Sequence, residues 1–287
     1  MNQFVFQRNV FHEKLLSGLK GVLYLKNIFF AKQPWLSLNK MVPNTKKTKY
    51  LIIGTVQKLF HSGNPSLDLS LCGTPIEEAK DEKLLGVNTD KHLNWDNHID
   101  FLIEKLNSRI CLLKRAKTYL NYRLRNLLYN ALIRPLFEYC CTVWGNTKNE
   151  YLLRLLRVQK RCARIILDAS YSDNSIELFS ELGWLPIDDV IRMPKLCLMY
   201  KIVNGCCPQY DMHRHNTRAS TNNLFIPIFR TNSGLRTFYG SVNRLWNTLD
   251  DSTRSITTLR NFKKYMSKKY VVSNSKLDHF TIHKTFK

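Results

Sequence analysis

The chain has 287 residues and carries 44 Lys and Arg against 22 Asp and Glu, a net charge of +22. Hydrophobic residues make up 44% and aromatics 11%, which excludes wholesale disorder, and no apolar run approaches the roughly 20 residues that span a bilayer. Arg8, Lys14 and Lys20 interrupt the apolar N-terminus, so no secretory h-region forms there. Eight cysteines without a CxxC read as reduced thiols of an intracellular protein.

The length fits one large domain or two small ones. Charge is distributed in blocks: +9 over residues 1–60, −5 over 61–100, +10 over 101–170, −2 over 171–215 and +10 over 216–287. Separate basic surfaces favour a polyanion, because phosphate neutralisation releases counterions and gives sequence-independent affinity. The expected partner is nucleic acid, RNA/DNA duplex or single strand, bound without sequence preference, with solubility alone or attraction to anionic lipid as the other readings of the charge. No membrane and no small-molecule substrate are expected, and the oligomeric state stays open.

Residues 1–34 are apolar and basic and remain unassigned. Pro43 and Asn44 supply turn chemistry, and Tyr50 to Ile53, closed by Gly54, reads as a strand. A polar loop with Gly63, Asn64 and Pro65 follows. Leu67 to Leu71 alternates with period two, as a half-buried strand does, and Lys83 to Val87 is a further strand candidate, ended by Asn88 to Asp90. Helices dominate beyond that point. Asp96 or Asn97 could cap a helix in which Ile99, Leu102, Ile103, Leu106, Ile110 and Leu113 recur on one face. Leu124 to Leu132 forms a second, ended or kinked at Pro135. A third carries Leu152, Leu155, Leu156, Cys162, Ala163 and Ile166 inward and Arg154, Arg157, Arg161 and Arg164 along one stripe. Ile187 to Tyr200 reads as a further helix with Pro194 against it, 205–236 as loop-rich, and 237–249 and 256–270 as helices.

The spacing of particular residues carries a resemblance. Trp35-x3-Asn39-Lys40-Met41-x2-Asn44-x2-Lys47-Thr48, leading into Tyr50, is similar to the palm segment just past the active site of non-LTR retrotransposon reverse transcriptases of jockey and CR1 type. Leu85-Gly86-Val87-x2-Asp90-x2-Leu93-x-Trp95-x2-His98-Ile99 resembles their palm-to-thumb junction. Leu128-Tyr129-x3-Ile133-x-Pro135-x3-Tyr139-x4-Trp144-Gly145 and Gln159-x-Arg161-x2-Arg164 resemble their thumb helices. Met199-Tyr200-Lys201, Pro208, Thr217-Arg218, Phe238-x7-Trp246-Asn247, Arg254 and Phe262-Lys263 follow the C-terminal order. The resemblance covers about 35–270. It implies an α+β fold, predominantly α-helical: a partial polymerase palm with primer-grip-like strands over 35–92, a helical thumb over 93–170, a helical C-terminal extension over 171–270, and a basic, flexible tail over 271–287.

The family polymerises through two Mg²⁺ ions held by carboxylates, which activate the primer hydroxyl and stabilise the leaving pyrophosphate. Those carboxylates come from an early palm strand and an aromatic-Ala-Asp-Asp turn. Before Trp35 the only acidic residue is Glu13. Asp188-Asp189 and Asp250-Asp251 sit in helix-start and surface contexts, where capping or solvated roles are expected. The chain therefore reads as a truncated reverse transcriptase segment with no catalytic residues, no metal site and no cofactor of its own. An incomplete stretch of an active RNA-directed DNA polymerase, or a non-functional or co-opted interaction relic, are the alternatives. A nucleus is implied by the resemblance alone.

Candidate nucleic-acid-binding residues follow. Lys47 falls at the family's palm lysine near the incoming nucleotide, or is a surface lysine in a basic turn. Lys83 opens the primer-grip-like stretch, whose strand character fits a core role equally well. Arg154, Arg157, Arg161 and Arg164 have no acidic stripe at i±4, which suits phosphate contact, although a solvated face reads as well. Lys263 and Lys264, with Lys268, Lys269, Tyr265 and Tyr270 interleaved, suit charge plus stacking, or an ordinary basic helix end. Trp95 with His98 reads as a packing and capping pair, and Trp144-Gly145 as a core anchor and turn. Cys206, Cys207, His213 and His215 lack the spacing of a zinc site.

Overall fold

The computed structural model describes residues 38–42, 44–61, 63, 67–71, 73–207, 223–226, 228–229 and 232–275. The readings made for residues 1–34, Trp35, Pro43, Asn64, Pro65, Pro208, His213, His215, Thr217, Arg218 and the tail from 276 to 287 lie outside these. The chain divides into two compact units, Met1–Leu93 and Asn94–Lys287. The described residues are mostly helical, with small sheets, in keeping with an α+β class.

In the first unit, Asn44 opens a 3-10 turn, Thr45–Lys47, by accepting a hydrogen bond from the Lys47 backbone N–H at 3.1 Å. β1 (Lys49–Tyr50) follows, then α1 (Val56–His61), β2 (Ser70–Leu71), β3 (Thr74–Pro75), β4 (Glu77–Glu78), β5 (Asp81–Leu84) and β6 (Val87–Asp90). They form three two-stranded sheets: β1 parallel to β4, β2 antiparallel to β3, and β5 antiparallel to β6. Leu69, Leu71 and Ile76 make a small core against Tyr50 and Leu67. The strands are shorter than periodicity predicts. Of the run from Tyr50 to Ile53 only Tyr50 is in a ladder. Leu51 to Thr55 is irregular, its chain held by the Gly54 N–H donating to Lys91 O at 2.9 Å.

The reading of Lys83 to Val87 as one strand is corrected. The chain reverses at Leu85 and Gly86, whose φ values are 48° and 83°, and Leu84 pairs with Val87. A two-residue turn with positive φ at both central positions matches strand twist, and glycine adopts it freely. Leu84 and Leu85 are each 50% exposed, so the apolar run marks a hairpin tip and not a core strand.

The second unit begins with α2 (Asp96–Ala116), which buries Ile99, Leu102, Leu106, Ile110 and Leu113 as its period predicts. Neither Asp96 nor Asn97 caps it. Trp95 occupies the cap position in a left-handed conformation (φ 69°), and Asp96 is the first helical residue, where its charge still favours the helix dipole. α3 (Tyr122–Leu132) is capped by the Asn121 side chain, which accepts from Leu124 N. α4 (Arg134–Glu138) restarts with Pro135 in its first turn, where the missing N–H costs nothing. α5 (Cys141–Trp144), α6 (Asn149–Leu167) and α7 (Ser175–Leu182) follow. α8 (Ile187–Val203) runs through Pro194. Burial of Ile187 and Ile191 before the proline and of Leu196, Met199 and Tyr200 after it outweighs the lost backbone bond, worth about 3 kcal/mol.

The last described elements are α9 (Asn232–Leu235), α10 (Phe238–Asn247), α11 (Asp251–Arg254) and α12 (Leu259–Ser275); the tail expected over 271–287 is helical as far as Ser275, and its remainder lies outside the described residues. α8 is the central element, packing on α4, α5, α6, α10 and α12. Its Leu196, Met199 and Tyr200 meet Val242 and Trp246 of α10 and Phe262 and Met266 of α12. Among the described residues the cysteines are free thiols, and burial pushes Cys141 up to about 11 and Cys162 to about 12. No helix among the described residues is long and apolar enough to cross a membrane.

Candidate nucleic-acid interface

α6 buries Leu155, Leu156, Gln159, Cys162, Ala163 and Ile166, and the buried Gln159 amide donates to Leu185 O at 2.8 Å. The opposite side presents the arginine stripe, but its members differ. Arg157 and Arg161 are exposed, one turn apart, with no ion-pair or hydrogen-bond partner among the described residues. Arg154 instead donates to Asp100 Oδ1 at 2.7 Å. Arg164 donates to Ser170 O at 3.1 Å and lies 5.1 Å over the Tyr171 ring. The expectation of four unpaired arginines is therefore corrected. Asp100 reaches Arg154 because α2 packs on α6, a contact that a search at i±4 along one helix misses. Lys160, beside the stripe, has its ammonium pKa lowered by burial and then by the charge of Arg164.

The structure brings together Arg157 and Arg161 and leaves the other candidates elsewhere. Lys47 is exposed at the end of its 3-10 turn, and Lys83 is exposed on β5 across from Asn88. Lys263 and Lys264 are exposed on α12, whose Phe262 and Met266 turn inward. Arg260, Lys264 and Lys268 recur every four residues there, making a basic stripe of which the sequence reading singled out one member as a site. The interleaved tyrosines do not act alike. Burial pushes the Tyr270 hydroxyl up to about 12, so that ring is packed, whereas Tyr265 is 42% exposed. Lys269 is committed to Asp250 at 2.7 Å.

The aspartate pairs are occupied by structure. Asp250 caps α11 by accepting from Thr253 N and also bonds Ser252 and Lys269. Lys269 and the two hydroxyls hold its carboxyl well below the usual range. Asp189 is buried and takes Arg192 at 3.4 Å, and burial raises the Asp188 carboxyl. These are helix-start roles, as expected for position, though the pair is more enclosed than a solvated face. Among the described residues no group of three or more His, Cys, Asp or Glu could hold a metal ion. The Mg²⁺ used by the polymerases that the motifs resemble finds no fitting ligand set there.

Two features escaped the sequence. Lys195 is buried, its ammonium donating to Gly145 O at 3.1 Å and Asn146 Oδ1 at 2.5 Å, with its pKa brought down to about 8 by burial. A lysine in an amphipathic helix carries no mark of this, since the two acceptors lie on a distant turn. The second feature is a pair of turns tied by Asp168, which accepts from Lys117 at 2.5 Å and from Arg125 at 2.6 Å. Lys117 and Arg125 thereby hold its carboxyl below the ordinary range.

No family model matches the chain, and no solved structure matches it. It is similar to a Drosophila melanogaster protein described as a probable RNA-directed DNA polymerase from transposon X-element. The two are 24% identical over 166 residues, 55% of this chain and 17% of that protein. The chain thus spans a minor part of the relative's length. The similarity supports a relationship to non-LTR retrotransposon reverse transcriptases, the class that the motifs between Trp35 and Phe262 resemble.

Proposed function

We propose that this chain is the portion of a jockey- or CR1-like reverse transcriptase that follows the catalytic carboxylates. In this reading 35–92 is the end of the palm with a primer-grip hairpin, 93–170 the thumb and 171–270 its extension. The portion holds nucleic acid by its backbone without regard to sequence and performs no chemistry itself. The observation that carries the reading is the exposed pair Arg157 and Arg161 on α6, without ion-pair or hydrogen-bond partners among the described residues, within a stretch whose net charge is +10. Guanidinium groups of this kind are weakly hydrated and suited to bidentate phosphate contact.

A salt titration against an RNA–DNA hybrid duplex tests it. Affinity is expected to fall steeply with salt, and Arg157→Ala with Arg161→Ala to flatten the logarithmic slope by about two, one for each arginine removed from a phosphate. No binding near about 50 mM salt, or a flat slope, overturns the reading. Because the 287 residues contain no aromatic-Ala-Asp-Asp turn, primer extension by the purified chain with Mg²⁺ is expected to yield no product; extension above a boiled control would show that carboxylates elsewhere in it serve.

A further inference from the structure

The two turns joined by Asp168 hold tyrosine rings out in water, and this calls for a reason. The α2–α3 turn is fixed by its backbone: the N–H groups of Tyr119 and Leu120 both donate to Ala116 O, at 3.1 and 3.0 Å. Arg125 braces it from beneath, donating from Nε to Leu120 O at 2.8 Å and from Nη1 to Ile166 O at 2.9 Å and to Asp168. The turn after α6 is fixed as well. Ser170 N donates to Asp173 Oδ2 at 2.7 Å, and Arg164 donates to Ser170 O. Both backbones are therefore rigid, and Asp168, the residue that ends α6 at φ 57°, ties one to the other through Lys117 and Arg125.

On this joined scaffold Tyr119 is 88% and Tyr171 91% exposed. Tyr122 is 50% exposed, with the Arg123 guanidinium 5.8 Å from its ring centroid, and Arg164 backs Tyr171 at 5.1 Å. Residues 114–125 hold five basic and no acidic side chains, while the carboxylates of Asp168 and Asp173 are engaged within the turns. Aromatic rings on a rigid basic surface lose little entropy when a flat partner stacks on them. Every nucleobase offers such a face, but only when it is unpaired, since in a duplex the faces are taken up by neighbouring pairs.

We infer that the turns at 117–123 and 168–173 form a platform for single-stranded nucleic acid, with Tyr119 and Tyr171 as base-stacking rings, Arg164 beside Tyr171 and Arg123 beside Tyr122. The inference rests on the nucleic-acid reading above and adds a second mode to it: α6 meets backbone phosphate, and the turns meet unpaired bases. Stacking on one ring changes affinity by roughly five- to hundredfold, and because no phosphate is involved it leaves the salt slope alone.

The test uses the full chain and fluorescence anisotropy with two probes, an oligothymidine of about 16 nucleotides and an RNA–DNA hybrid duplex. The double variant Tyr119→Ala, Tyr171→Ala is expected to weaken oligothymidine binding at least about tenfold, with an unchanged salt slope and hybrid affinity within about twofold. Tyr119→Trp with Tyr171→Trp is expected to match or exceed the unaltered chain. Tyr119→Leu with Tyr171→Leu keeps side-chain bulk and is expected to behave like the alanine pair, so a folding defect in one pair leaves the other to decide. Oligothymidine affinity unmoved by both replacements overturns the platform and leaves the phosphate-grip reading standing. So does an equal loss on both probes, or an unaltered chain that binds the hybrid but not the single strand. An unaltered chain that binds neither probe overturns both readings.

Discussion

His98 lies in the first turn of α2, 4% exposed, with its ring centroid 5.8 Å from that of Trp144. Burial first, and the charge of Lys105 second, bring its pKa down from 6.5 to about 4. The folded ring is thus neutral at pH values where the unfolded chain already binds a proton. Stability from this source is complete above about pH 6.5 and is lost as pH falls toward 4. Two and a half units would be worth about 3 kcal/mol if the ring were wholly sequestered, and partial solvation reduces this to about 2 kcal/mol. In urea melts at about pH 7 and about pH 4, the unaltered chain is expected to lose about 2 kcal/mol more than His98→Gln. Equal acid sensitivity of the two would show that His98 does not titrate on unfolding.

Gly145 shows how one residue fixes the joint between elements. Its φ is an ordinary −72°, so no special backbone conformation requires glycine. Space does: a Cβ there would meet the Cys141 carbonyl oxygen and the Ile191 Cγ2 well inside van der Waals contact. The first is the carbonyl that the Gly145 N–H itself bonds at the end of α5 and the second belongs to α8, so a Cβ would strain the end of α5 and press against α8. The same turn presents Gly145 O to the buried Lys195 ammonium. Gly145→Ala is therefore expected to destabilise the chain by about 3 kcal/mol, at the upper end for overpacking, read as a lower urea midpoint with unchanged m-value. A loss under about 1 kcal/mol would mean that α5 and α8 separate easily.

Elements were legible in the sequence wherever a helix buried one continuous stripe, as α2 does from Ile99 to Leu113 and α6 from Leu155 to Ile166. Here burial and period agree, and propensity has little left to decide. α8 was legible across Pro194 as well, and burial of both its halves is what lets the helix run through that residue. Legibility failed where tertiary contacts overrule local pattern. The apolar Leu84–Leu85 pair lies at a hairpin tip because Gly86 permits the reversal. The candidate site divides in the same way. Arg157 and Arg161 stand exposed as the stripe implied, but the partner of Arg154 comes from α2, 54 positions away, and no local spacing encodes it.

At the scale of the whole molecule the two units differ in how their backbone hydrogen bonds are protected. The second has long helices closed over Trp144, Trp246, Phe137 and Phe262, each no more than 2% exposed. The described part of the first has three sheets of two strands each and a core cluster of Leu69, Leu71 and Ile76. Two-stranded sheets are marginal in water without such cover, and opening free energies follow burial and local packing. Hydrogen exchange of the full chain should therefore separate the units. Amides of β2, β3, β5 and β6 are expected to exchange at least about a hundredfold faster than those in the middles of α2, α6 and α8, equivalent to roughly 3 kcal/mol in opening free energy. Adding a saturating hybrid duplex is expected to slow exchange around Arg157 and Arg161, since a ligand that binds the closed form stabilises it by mass action. Uniform protection across both units would overturn this ranking of their stabilities.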